Sequence, residues 1–181
     1  MTDMEMWKLG VAAVEREYAA LSPLFLAGFR ERTEAIKSCK NAIHAFAEAM
    51  NGREVCAVCQ GECCVTGKHH FTVIDLLVYL ASERQLFEPR FERGRCPYLG
   101  ENGCLMEPEY RPFNCVTFNC ERVQGPMASL EIERFHAMER ELLAMYKELE
   151  ELFDNRFMYG LLINCERDLL QGKTAILRTT T

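Results

Sequence analysis

Basic charge is the scarcer sign in this chain: Lys and Arg number 21 against 27 Asp and Glu, a net charge of −6 over 181 residues. Because the acids are spread along the length and phosphate backbones are held by a basic face, nucleic acid is excluded as a primary partner. Long apolar runs are absent too. Charges such as Arg16, Arg30 and Glu31 interrupt every stretch before it reaches the roughly eighteen apolar residues of a membrane-spanning helix. The opening MTDMEMWKLG carries Asp3 and Glu5, with no basic segment leading into a small-residue cleavage site. No secretory signal is expected, and the chain is assigned to the reducing, cytoplasmic compartment. The sequence has no nucleophile elbow, phosphate-cradling glycine loop, H-E-x-x-H or C-x3-C-x2-C triplet, so whether it is an enzyme stays open. Internal repeats and low-complexity segments are also missing.

What is abundant is cysteine. Ten occur, and eight fall in one arrangement: Cys56-x2-Cys59-x3-Cys63-Cys64, then Cys96-Pro97, Cys104, Cys115 and Cys120. Thiolates are soft ligands that select zinc or iron–sulfur clusters, and two groups of four suit two four-coordinate centres or one polynuclear centre. In a reducing compartment C-x2-C spacing points to metal or redox work before disulfides. The intervening tight turn aims both sulfurs inward. Cys63 and Cys64 are adjacent, and neighbouring side chains diverge, so they are expected to play different parts. Zinc and iron–sulfur remain open on spacing alone: the ferredoxin C-x2-C-x2-C-x3-C-P order is absent, while an all-thiolate zinc pair fits equally well.

With 49% hydrophobic residues the chain can bury a real core, and one domain over 1–181 is the simplest organisation. The pattern predicts a mostly α fold, a bundle of about four to five helices with an irregular cysteine-rich metal-binding insert. Helical segments 4–52 and 127–172 flank the cysteine subregion 54–122. In the first, Met6, Leu9, Ala13 and Val14 share a helical face. Ser22-Pro23 then reads as a cap with proline at the first helical position, opening a helix that carries Phe29, Ile36, Cys39, Ile43, Phe46 and Met50 and stops at Asn51-Gly52. Thr72-x-x-Asp75 opens an apolar helix to about Glu83, expected to wall the metal site. Residues 86–126 hold five of the six prolines and no sustained period.

Phe135, Met138, Leu142, Met145, Leu149 and Leu152 form an a/d seam with Ser129 as its cap. It is expected to pack against the 24–50 helix, the alternative being a homodimer through 135–152. A final helix, bent near Gly160, carries Leu161, Leu162, Cys165, Leu169 and Leu170.

The order Cys56-x2-Cys59-x3-Cys63-Cys64, Cys96-Pro97-Tyr98-Leu99, Asn102-Gly103-Cys104, Arg111-Pro112-x2-Cys115-x4-Cys120 resembles the YkgJ-type cysteine-cluster family, which is similar to flagellin lysine N-methylase. The resemblance spans roughly residues 54–122 and implies a zinc- or iron-chelating domain, the label favouring an iron–sulfur cluster. The family's first motif is usually C-x2-C-x2-C-C, whereas three residues precede Cys63 here, and six residues separate Cys104 from Arg111 where five are usual. These insertions remove no ligand.

The metal set is therefore Cys56, Cys59, Cys63, Cys64, Cys96, Cys104, Cys115 and Cys120. Four thiolates around zinc leave a negative charge, so Arg90, Arg93, Arg95 and Arg111 are candidate cations. Arg111 in particular is expected to support the metal through N–H donors to sulfur or nearby carbonyls. His69 and His70 could add a nitrogen ligand but are expected to be solvent-exposed. His44 and His136 read as surface or packing residues, and Cys39 and Cys165 as small buried groups. The functional expectation is a metal protein with a redox, sensing or accessory role for an unknown protein partner. Alternatives are a zinc-stabilised interaction module and a protein-modifying enzyme of the methylase type, the latter by family analogy alone.

Overall fold

The computed structural model describes residues 1–50, 67–92, 94–100, 103–118, 121–172 and 175–178, and the described chain is mostly helical. Helix α1 (Asp3–Ala19) starts in a capping box, the Thr2 hydroxyl accepting from Glu5 N while Glu5 accepts from Thr2 N. Helix α2 (Pro23–Ala49) starts as the sequence implies: Ser22 Oγ accepts from Phe25 N, and Pro23 occupies the first turn. The expected stop at Asn51-Gly52 lies outside the described residues. After the 3-10 turn Gly67–His69, α3 (Val73–Ala81) opens on the Thr72–Asp75 box. Eight of its nine residues are buried, because α1, α2 and the turn Pro108–Tyr110 cover it from several sides.

Between α3 and the long C-terminal helix the elements are short. Strands β1 (Leu99–Gly100) and β2 (Gly103–Cys104) pair antiparallel, Leu99 opposite Cys104. The 3-10 turn Pro108–Tyr110 and helices α4 (Phe113–Thr117) and α5 (Glu121–Gln124) follow. Helix α6 (Ser129–Leu152) carries the seam. Its cap differs from the expectation: Ser129 is already helical, and Glu131 reaches back to the Ala128 N–H at 2.8 Å, so a carboxylate does the capping from inside the first turn.

The seam lies along α2 in antiparallel sense. Phe29 meets Phe153 at 5.9 Å and Phe46 meets Phe135 at 6.2 Å between ring centroids. Phe135, Leu142 and Leu149 are buried, with Phe29, Ile36 and Ile43 buried on the other side. Gly160 does not bend the last helix but starts it. Its φ of 90° and ψ of 153° fall in a region that is essentially glycine-only. Helix α7 (Leu161–Asn164) then passes into a π-helical turn, Cys165–Leu170, which packs with Leu161 on Gly10 of α1. Among the described residues no helix is long and apolar enough to cross a membrane.

Candidate metal centre

Three of the eight expected ligands, Cys96, Cys104 and Cys115, belong to the described residues; Cys56, Cys59, Cys63, Cys64 and Cys120 lie outside them. Two of the three reach the same short piece of backbone, the turn 67–70. That turn is closed by His70 N donating to Gly67 O at 2.9 Å. Cys96 reaches its first residue: a Cβ built on Gly67 would stand 3.2 Å from Cys96 Sγ. The missing side chain leaves the room that the sulfur uses. Cys115 reaches the last residue, with its Sγ 3.6 Å from His70 Nδ1.

Local chemistry explains both placements. Pro97 and Tyr98 are buried after Cys96, and the Tyr98 hydroxyl donates to the Lys68 carbonyl at 3.2 Å, strapping the Cys96 segment to the turn. Tyr98 is itself fixed in a pile of rings: Phe87 at 5.5 Å, Phe71 at 6.0 Å and Trp7 at 6.3 Å. Cys115 sits in α4, whose first residue Phe113 packs on the Tyr146 ring at 5.4 Å. Cys104, opposite Leu99 in the hairpin, is exposed.

Electrostatics follow this geometry. Burial, followed by the charges of Cys115 and Cys96, pushes the Tyr98 hydroxyl far above its ordinary range, so it stays a donor. Burial and then Cys104 do the same to Tyr79. Burial, reinforced by His69, lowers the His70 pKa despite an opposing effect of Asp75, leaving a neutral imidazole at pH 7. His69 is exposed, as expected. His70 is not: it is half-buried, and the sequence signal for it was weak because its partner lies 45 residues away.

The candidate cations divide. Arg90 and Arg95 line, with Glu92, Cys96, Leu99 and Gly100, a cavity of about 130 Å³, while Arg93 lies outside the described residues. Arg111 is half-buried, and its Nε donates to the Met106 carbonyl at 3.3 Å, bracing the turn that leads from β2 to α4. It thus holds the backbone between Cys104 and Cys115 through a carbonyl.

Beneath the centre lies a charged cluster that the sequence did not announce. Lys40 and Asp75 are both fully buried and 2.8 Å apart. Asp75 Oδ1 also accepts from the Tyr146 hydroxyl at 2.5 Å, and Oδ2 accepts from Thr72 N and Oγ1 at 2.9 and 2.7 Å. Every polar atom of the carboxylate is satisfied, and the cluster ties α2, α3 and α6 together behind α4. Burial and then Asp75 hold the Tyr146 hydroxyl well above its ordinary value, so it too remains a donor.

The donor types, thiol and imidazole, and the space left by Gly67 suit a thiophilic metal. Among the described residues, no three His, Cys, Asp or Glu side chains are placed to hold one ion. Neither a family model, nor a curated protein, nor a solved structure matches this chain.

Proposed function

We propose that this chain is a cysteine-cluster metal protein of the YkgJ type, its eight cysteines holding an iron–sulfur cluster or zinc in a redox, sensing or accessory role. The observation that carries this reading is the arrival of Cys96 and Cys115, nineteen residues apart in sequence, at opposite ends of the turn 67–70. Two thiols brought to one turn by separately fixed segments are what shared ligation requires and what ordinary packing does not. The sequence adds a further link: Gly67 follows Cys64 by three residues, so the turn belongs to the same chain segment as the first quartet. Arg90 and Arg95 would offset the negative charge of ligating thiolates. The family assignment rests on the order of the cysteines.

Anaerobic purification followed by metal analysis tests the proposal. An iron–sulfur protein is expected to be brown with broad absorption at about 400 nm, whereas zinc has no such transitions. Replacing Cys96 and Cys115 by serine together should remove most of the bound metal. Protein with no stoichiometric zinc or iron under these conditions would end the reading.

A further inference from the structure

We infer that His70 is a metal ligand, sharing one ion with Cys115 through Nδ1. The inference rests on the metal-protein reading above and adds a nitrogen donor to a set that the sequence composes of sulfur alone. A tetrahedral ion about 2.3 Å from a thiolate sulfur and about 2.0–2.1 Å from an imidazole nitrogen sets the two donor atoms about 3.6 Å apart. Cys115 Sγ and His70 Nδ1 are 3.6 Å apart.

A thiol–imidazole hydrogen bond falls in the same distance range, so the choice between the two turns on how the residues are held. His70 ends a turn restrained by its own closing bond and by two other segments. Its own N–H closes the turn on Gly67 O; Tyr98 donates to Lys68 O; the Phe71 carbonyl next to it accepts from Leu161 N at 2.7 Å. Gly160 lies so close to the His69 carbonyl that a Cβ there would collide with it. Two other segments, around Tyr98 and Gly160–Leu161, therefore fix the four residues 67–70 together with the turn's own closing bond. The same turn gives up a side chain at Gly67 where Cys96 Sγ sits. A solitary hydrogen bond needs no such cradle. A preorganised ligand does, because ligating atoms must be held to within roughly half an ångström by the residues around them. A mixed nitrogen–sulfur set selects zinc, or iron in a centre with histidine replacing cysteine.

The test is X-ray absorption at the metal edge of the full chain, purified anaerobically and assayed for zinc and iron, alongside His70→Gln. Glutamine keeps a hydrogen-bonding side chain of similar reach but is a poor ligand for either metal. The expected result is an imidazole shell beside sulfur in the wild type, absent from His70→Gln. Its metal affinity should be lower by about 100-fold, since even groups that only orient ligands are worth about 10–100-fold. A metal-loaded wild type with a sulfur-only shell overturns the assignment and leaves the cluster reading standing. A wild type that binds neither metal overturns both. If His70→Gln fails to fold, the wild-type spectrum decides alone.

Discussion

The helical frame and the cysteine-bearing stretch 86–118 are built on different terms. In the frame, α1, α2 and α6 run for 17, 27 and 24 residues, and each has its own start signal and apolar face. The stretch has two-residue strands and a five-residue helix, lengths at which neither a hairpin nor a helix is stable alone. Its order is borrowed. Tyr98 and Phe87 lean on Trp7 of α1, the Tyr110 ring meets the Tyr79 ring of α3 at 4.7 Å, and Phe113 leans on Tyr146 of α6. A segment that depends on neighbours for its shape can place side chains where local propensity would not. That suits a ligand scaffold, and it makes the stretch sensitive to damage in the frame beneath it.

The largest expected effect breaks the frame directly. Lys40→Met removes the charge that faces Asp75 while keeping most of the volume, leaving a carboxylate in a site with no solvent exposure. Losing one partner of a buried pair costs about 3–5 kcal/mol. Urea unfolding should show that loss in one transition, with amide exchange accelerated both in the frame and in residues 94–118. Acceleration confined to the stretch would show that its order does not come from the helices.

Second is Gly160→Ala, which attacks the close approach of the start of α7 to the turn 67–70. Alanine meets the His69 carbonyl and is forced into a backbone region that costs about 1–3 kcal/mol. The turn should move, and metal retention should fall with it although Gly160 itself offers no donor. Unchanged metal content alongside a lowered Tm would confine Gly160 to the frame.

How much of this was legible beforehand depended on how local the cause was. Ser22-Pro23 and Thr72-x-x-Asp75 announce their helices because a cap and its recipients lie within three residues. The seam on α6 announces its burial because 3.5-residue spacing is a property of one segment. By contrast Asp75, legible as a cap, gave no hint of Lys40 and Tyr146, which meet it from 35 and 71 residues away. Tyr146 sits beside the seam residue Met145, and its burial answers to that carboxylate. Ser129 misled because glutamate two positions on performs the capping, and Gly160 read as a kink because a glycine does not declare the sign of its φ. The candidate site was legible as a list of cysteines and not as a place. His70 meets Cys115 through a contact across 45 residues, which no local pattern announces.

At the far end of the frame a second buried carboxylate offers a milder contrast. Burial opposes ionisation of Asp168, but hydrogen bonds from Arg167 and Asn155 outweigh it and hold the carboxyl below its ordinary value. Arg167 forks onto it with Nε at 3.0 Å and Nη2 at 2.7 Å, and Asn155 Nδ2 joins it to the Ile176 carbonyl. A depressed folded pKa means that stability is present above the unfolded value of about 3.9 and lost as pH falls through the folded one. Asp168→Asn should therefore cost about 2 kcal/mol at pH 7. Its Tm gap from the wild type should close as pH drops below about 4. A gap constant from pH 7 to pH 3 would show that the charge contributes nothing.

Smallest, and most discriminating between frame and ligand scaffold, is Gly67→Ala. No left-handed φ is required at Gly67, and it sits in a 3-10 turn. Alanine is thus compatible with the backbone and should stabilise the metal-free protein by about 0.4–1 kcal/mol by restricting the unfolded chain. The added Cβ would nevertheless stand 3.2 Å from Cys96 Sγ, so the sulfur must retreat by a few tenths of an ångström from the turn it shares with Cys115. Because ligand placement is worth up to about 10–100-fold in metal affinity, a shift of this size should weaken binding by about tenfold or less. Opposite signs are the signature: a slightly higher Tm without metal, and a lower affinity with it. Were both to rise together, the open space at Gly67 would belong to packing, and Cys96 would have no claim on the turn as a ligand's seat.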